Sequence, residues 1–199
     1  MKKLTRVLSL SFFLINVIGI FTYFWLNVNL YIKYSETSQI TSTNMIDLQN
    51  AYDFLKNKVG LNNNFTTLEA SHLQDVKNIF SIVYYIFQIS LILFVVITLF
   101  FIFSHQYNQI WKWLFIWSII SLSIVLLLLI LTVSDFTSSF QVFHKIFFPQ
   151  WNRTFAEDSR LITLFPESFF ISISKSIFLT ISVISVSIIW LNIIFRVRS

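Results

Sequence analysis

Two histidines and a nearby carboxylate hold most of the proton-transfer chemistry this sequence offers. In "SHLQDVK", His72 and Asp75 stand three residues apart and Ile79 four further on, so on a helix all three share one face. That spacing suits an imidazole steered by a carboxylate. In "SFQVFHKIFFPQW", His144 lies among Phe140, Phe143, Phe147 and Phe148, which gather on one side of a helix at about 100° per residue. Apolar surroundings lower a histidine's pKa and keep the ring neutral, the form a general base requires. The plainer alternatives are a polar helix end at His72 and a hydrogen-bonded structural ring at His144. The third histidine, His105, falls in a short polar hairpin and reads as solvated.

Much other chemistry is excluded. The chain has no cysteine, which removes thiolate metal sites, disulfides, a cysteine nucleophile and an acyl-thioester intermediate. Its only glycines are Gly19 and Gly60, so neither a phosphate-cradling loop nor a nucleophile elbow can be built.

The elements that must position the histidines are membrane helices. Of 199 residues, 56% are hydrophobic and 12% charged, too few charges to cover a water-facing surface. The apolar residues form four runs, approximately 7–26, 79–103, 111–133 and 169–195, each long enough to cross about 30 Å of hydrocarbon. The first run is too long for the core of a secretion signal and lacks a small-residue cleavage site after it, so it reads as a retained helix. The expected fold is a single all-α membrane domain over 1–199, with four transmembrane helices and two long, partly structured loops, 27–78 and 134–168, forming a cap. Lys2, Lys3, Arg6, Lys112, Arg196 and Arg198 fall on one side with no acid, while the other eight bases and all nine acids fall on the other. The positive-inside rule then places both termini in the cytoplasm and both long loops outside. Trp25, Trp111, Trp113, Trp151 and Trp190 lie near the predicted span ends, as interfacial anchors do. The net charge of +5 is therefore a topology signal, with no nucleic-acid partner implied.

Within the first long loop, "LYIKY" alternates like a strand. In "NMIDLQNAYDFLKNKVG", Met45, Leu48, Tyr52, Leu55 and Val59 recur at helical spacing, with Asn44 as a start and Gly60 as a stop. Thr66 and Glu69 fit a capping box, predicting a helix from about Thr67 that runs on into the second span. His72 would precede the hydrocarbon edge by seven residues, roughly 10 Å of helix. In the second loop, Pro149 should end the helix that carries His144, and Pro166 should set the entry to the fourth span. The charges in "WNRTFAEDSR" read as hydrated, except Asp158, which could orient His144 or bind a substrate ammonium group. Serines in the fourth span suit close helix packing, and Lys175 lies near enough to its edge to snorkel.

Taken together, "SHLQDVK" before the second span and "FHKIFFPQW…EDSRLITLFPESFF" before the fourth resemble the lipoprotein intramolecular transacylase (Lit) family, integral membrane proteins of low-GC Gram-positive bacteria. The resemblance implies a plasma-membrane acyltransferase acting on diacylated bacterial lipoproteins, at the outer leaflet and without a cofactor. It would move the sn-2 acyl chain of the diacylglyceryl group to the α-amine of the N-terminal cysteine, giving the lyso form. His144, His72 and Asp75 are then the expected catalytic residues. Asp158, Trp151, Phe143, Phe147 and Arg153 are the expected substrate contacts, and no metal ligand is assigned. Two rivals stand beside this reading. One is a metal-dependent membrane hydrolase with His72, Asp75 and His144 as ligands. The other is a non-enzymatic four-helix accessory protein, such as a transporter subunit or an assembly factor.

Overall fold

A computed structural model describes residues 2–19, 42–148, 155–156 and 158–197, and every element among them is helical. In chain order these are α1 (Lys2–Leu14) with a π-helical turn at Ile15–Gly19, α2 (Ser42–Leu55), α3 (Thr67–Phe103), α4 (Tyr107–Ser134), α5 (Phe136–Phe147), α6 (Arg160–Leu164) and α7 (Glu167–Val197). Helices α3, α4 and α7 are long and apolar enough to cross a membrane. The first predicted span is described only as far as Gly19. Its remainder, the "LYIKY" segment, Trp25, Pro149, Trp151, Arg153 and Glu157 lie outside the described residues.

Helix α3 shows why a bilayer is required. Its 37 residues extend about 55 Å, far more than a hydrocarbon core needs. Ile82, Tyr85, Ile89, Ile92 and Val96 recur along one exposed stripe, whereas Ser90, Ile97 and Phe101 are buried on another face. Water would not tolerate that stripe, and lipid does.

The chain divides into two compact units. The first comprises 1–22, 83–130 and 176–199 and holds most of the apolar helix length. Ile97 and Phe101 pack there with Leu4, Phe94 and Ile110. Phe12 meets Phe94 with ring centroids 5.9 Å apart, and Phe13 meets Trp117 at 5.4 Å. A Cβ on Gly19 would come within 2.6 Å of the Phe87 ring, so the missing side chain is what admits that ring. Ser118, Ser121 and Ser185 are buried, the small-residue packing expected between membrane helices. Asn192, also buried, donates from Nδ2 to the Trp111 carbonyl at 2.7 Å, tying α7 to α4.

The second unit, 23–82 and 131–175, contains the two long connections. Helix α2 buries Leu48, Ala51, Tyr52 and Leu55 against protein. Its limits differ from the sequence expectation: it begins at Ser42 and stops at Leu55, with Val59 exposed and Gly60 outside it. The stop is a Schellman motif. Asn57 takes a left-handed φ of 60°, its N–H bonds the Phe54 carbonyl, and the Lys58 N–H bonds the Asp53 carbonyl. The same arrangement ends α3, where His105 has φ 54° while its N–H bonds the Ile102 carbonyl and that of Gln106 bonds the Phe101 carbonyl. Helix α5 is capped by Asp135, which accepts from the Ser138 N–H at 3.0 Å, and α6 by Ser159, which accepts from the Ile162 N–H at 3.3 Å. Pro166 directly precedes α7, as expected, and its carbonyl accepts from the Phe169 N–H at 3.0 Å.

Candidate active site

The sequence-predicted catalytic residues all belong to the second unit. His72 is delivered by α3, whose start is held by the expected capping box. The Thr66 N–H donates to Glu69 Oε2 at 2.8 Å, and the Glu69 N–H returns to Thr66 Oγ1 at 3.2 Å. One turn later the His72 ring enters an aromatic enclosure. Its centroid lies 4.9 Å from Phe148, 5.4 Å from Phe155 and 6.2 Å from His144. The two imidazoles are almost parallel, with an interplanar angle of 15°.

His144 comes from the last turn of α5. Phe140, a turn earlier, packs on it at 4.1 Å and itself meets Phe170 at the start of α7 at 4.9 Å. His144 Nδ1 lies 2.9 Å from the Phe140 carbonyl oxygen. A carbonyl only accepts, so Nδ1 carries the proton and Nε2 presents its lone pair. The backbone of α5 therefore sets the tautomer that a base needs.

Helix α5, at 12 residues, is too short to span a membrane, and His72 lies in the polar first turns of α3, ahead of its apolar run. Burial is the main cause that pushes His72 down to about 4; the adjacent His144 adds to it, and the Asp75 carboxylate works against it. Burial also lowers His144, opposed by its bond to the Phe140 carbonyl. At neutral pH the site therefore holds two uncharged imidazoles, one with a fixed acceptor nitrogen. Such a pair can take a proton from an attacking group and return it to a leaving group.

The expected substrate contacts divide. Phe143 lies beside His144 at 5.7 Å and pairs with Phe147 at 4.7 Å, and both rings are exposed, a greasy edge next to the base. Asp158 is exposed in the turn before α6, and no hydrogen bond joins it to His144 among the described residues. Also among the described residues, no three histidine, aspartate or glutamate side chains gather as a metal-ligand set would.

Arg160, expected from its sequence neighbourhood to be hydrated, is instead engaged within the protein. Its guanidinium pairs with Asp47 of α2, whose side chain is fully buried. Asn62 and Asn64 donate to the same carboxylate at 2.8 and 2.7 Å. Burial alone would raise the Asp47 pKa, but the donors from Asn64, Asn62 and Arg160 outweigh it and hold the group below its usual range. The next residue, Leu161, donates its N–H to Glu69 Oε1 at 3.2 Å. Glu69 thus closes its own capping box and also holds the start of α6. Arg160 lies 113 residues from Asp47, and no local pattern announces so distant a pair.

The chain matches the family described as Lipoprotein intramolecular transacylase Lit over residues 4–170, most of its length and all of the histidine site. It belongs to the Lit family. The family is one of membrane acyltransferases, and this member is an integral membrane protein with several spanning helices. Its fold is that of the membrane integral lipoprotein intramolecular transacylase Lit from Bacillus cereus, at 20% identity and a TM-score of 0.81 over 100% of this chain and 98% of that one. Two variants of the Bacillus cereus Lit protein, with a histidine replaced by arginine or by alanine, match at TM-scores of 0.72 and 0.73, again at 20% identity. The arginine variant is matched over 99% of this chain and 92% of its own, the alanine variant over 100% and 96%. A search among curated proteins finds no match.

Proposed function

We propose that the protein converts a diacylated lipoprotein to its lyso form by moving the sn-2 acyl chain of the diacylglyceryl group to the α-amine of the N-terminal cysteine. The observation that carries this reading is the pair of neutral imidazoles, 6.2 Å apart and from separate segments, with the acceptor nitrogen of His144 fixed by the Phe140 carbonyl. Nucleophile and ester belong to one substrate molecule, so the enzyme needs no nucleophile of its own. Holding them together supplies several kcal/mol through effective molarity.

Proton transfer is what remains. The amine nitrogen attacks the ester carbonyl carbon, and His144 Nε2 takes the proton the nitrogen sheds. The bond from carbonyl carbon to glycerol oxygen then breaks, and the imidazolium returns that proton to the oxygen. An amide and a free glycerol hydroxyl result, with His144 restored. The N–H of His72 donates to the carbonyl oxygen as it becomes an oxyanion, and Asp75 favours partial positive charge on that ring. The exposed rings of Phe143 and Phe147 suit the departing acyl chain, and Asp158 suits the substrate ammonium group before it is deprotonated. Trp151 and Arg153, the remaining substrate contacts expected from the sequence, are assigned to the same substrate in this proposal. The step as written needs no metal and no cofactor, and it takes place at the outer leaflet, where lipoproteins are anchored.

Expression in a host that makes only diacylated lipoproteins tests the reading. Tandem mass spectrometry of one N-terminal lipopeptide should show an amide-linked acyl chain and a singly acylated glycerol. An unaltered lipopeptide in cells containing the folded protein would overturn it.

A further inference from the structure

The two carboxylates that hold α6 bind consecutive residues, Asp47 the side chain of Arg160 and Glu69 the backbone N–H of Leu161. Leu161 and Leu164 are buried below them, so α6 has little freedom to shift. A hydrogen bond from the Ser159 N–H to the Ala156 carbonyl, 2.9 Å, closes the turn just ahead of α6. Phe155 is thereby set against His72, edge-on at 5.4 Å, and Phe148 also packs on that ring at 4.9 Å. An ester held beside an imidazole base can also be attacked by water activated by that base, unless water is kept away.

We infer, resting on the acyl-transfer reading above, that Phe155 is a specificity-determining residue, held on His72 by Asp47 and Glu69, that keeps water from replacing the amine as acyl acceptor. In the reaction it suppresses, a water oxygen attacks the ester carbonyl carbon and the bond to the glycerol oxygen breaks. That oxygen takes the proton, and a free fatty acid leaves with the hydroxyl of water. The lipoprotein would then be singly acylated on glycerol with its amine still free. Asp47 and Glu69 touch neither substrate nor reacting atoms in this scheme; they are positioning residues.

The test uses purified full-length protein in phospholipid vesicles with a diacylglyceryl lipopeptide whose amine is free. Mass spectrometry measures the N-acyl peptide and the free fatty acid together, and their ratio reports which acceptor is used. Wild type should give almost all amide. Phe155→Ala should raise the ratio of fatty acid to amide by about tenfold or more, the direction expected when water enters a formerly dry site. Phe155→Tyr, which keeps the ring, should keep the wild-type ratio. Arg160→Gln, which removes the ion pair to Asp47 and alters neither imidazole, should shift the ratio the same way, and Arg160→Lys should restore part of it. Phe155→Val repeats the measurement should the alanine variant fail to accumulate. A ratio unchanged in the Phe155 and Arg160 variants, with wild type making amide, overturns this inference alone. A wild-type protein that makes no amide overturns the acyl-transfer reading and this one with it.

Discussion

At the residue scale one hydrogen bond sets the chemistry of the base. The Phe140 carbonyl, a turn behind His144, obliges Nδ1 to donate and leaves Nε2 as the basic atom. His144→Ala should therefore abolish N-acyl product, a loss of at least about a hundredfold for removal of a general base, read by single-turnover assay on a synthetic lipopeptide. The pH dependence should be similarly specific. Both imidazoles are held below the ordinary histidine range, His72 at about 4, whereas an α-amino group titrates near 7.7–8.0. As pH falls, the amine protonates first and the rings stay neutral. A plot of log rate against pH should keep unit slope from about pH 7 to below 6.5, and a steepening at 6.5 would show an unshifted histidine base. The same depression costs stability on the acid side. Between 6.5 and about 4 the unfolded chain binds protons that the folded site refuses, so stability falls as pH drops through that window.

Among the elements, helix ends decide where the site residues stand. The Thr66–Glu69 capping box sets the register of α3 and hence the position of His72. With only two glycines in the chain, the left-handed positions at two helix ends are taken by Asn57 and His105. His105→Gly should raise the thermal midpoint, by about 1 kcal/mol of stability, because glycine adopts that conformation without steric cost; a thermal melt in detergent would check it. These ends also show what the letters could convey. The capping box, the apolar runs and the Phe140–Phe148 arc are local patterns, and each was legible. The end of α2 was misplaced because glycine is the usual stop signal, whereas here the hydrogen bonds around Asn57 make the stop without it. The histidines were identifiable as candidates because imidazoles are rare in so apolar a chain. Their common enclosure, and the bonds from Asp47 and Glu69 to α6, depend on contacts between distant segments and left no periodic trace.

On the scale of the whole molecule, the exposed apolar stripe of α3 points to a bilayer, and the confinement of all nine acids to one predicted side gives the expected orientation. The absence of cysteine gives a clean background for testing it. Asn63→Cys, in the first long loop, should react with a membrane-impermeant maleimide on intact cells, and Gln109→Cys, in the first turn of α4, only after permeabilisation. The reverse pattern would place both imidazoles on the cytoplasmic side. The central claim, acyl transfer within one substrate molecule by paired imidazoles, is tested most directly by a crossover measurement. The reconstituted protein is given two lipopeptides of different sequence, one carrying a deuterated sn-2 chain, and the amide products are sorted by mass. Deuterium should appear only on the amine of the peptide that brought it, and no product should form with His144→Ala. Scrambled label, or undiminished product from His144→Ala, would contradict the account.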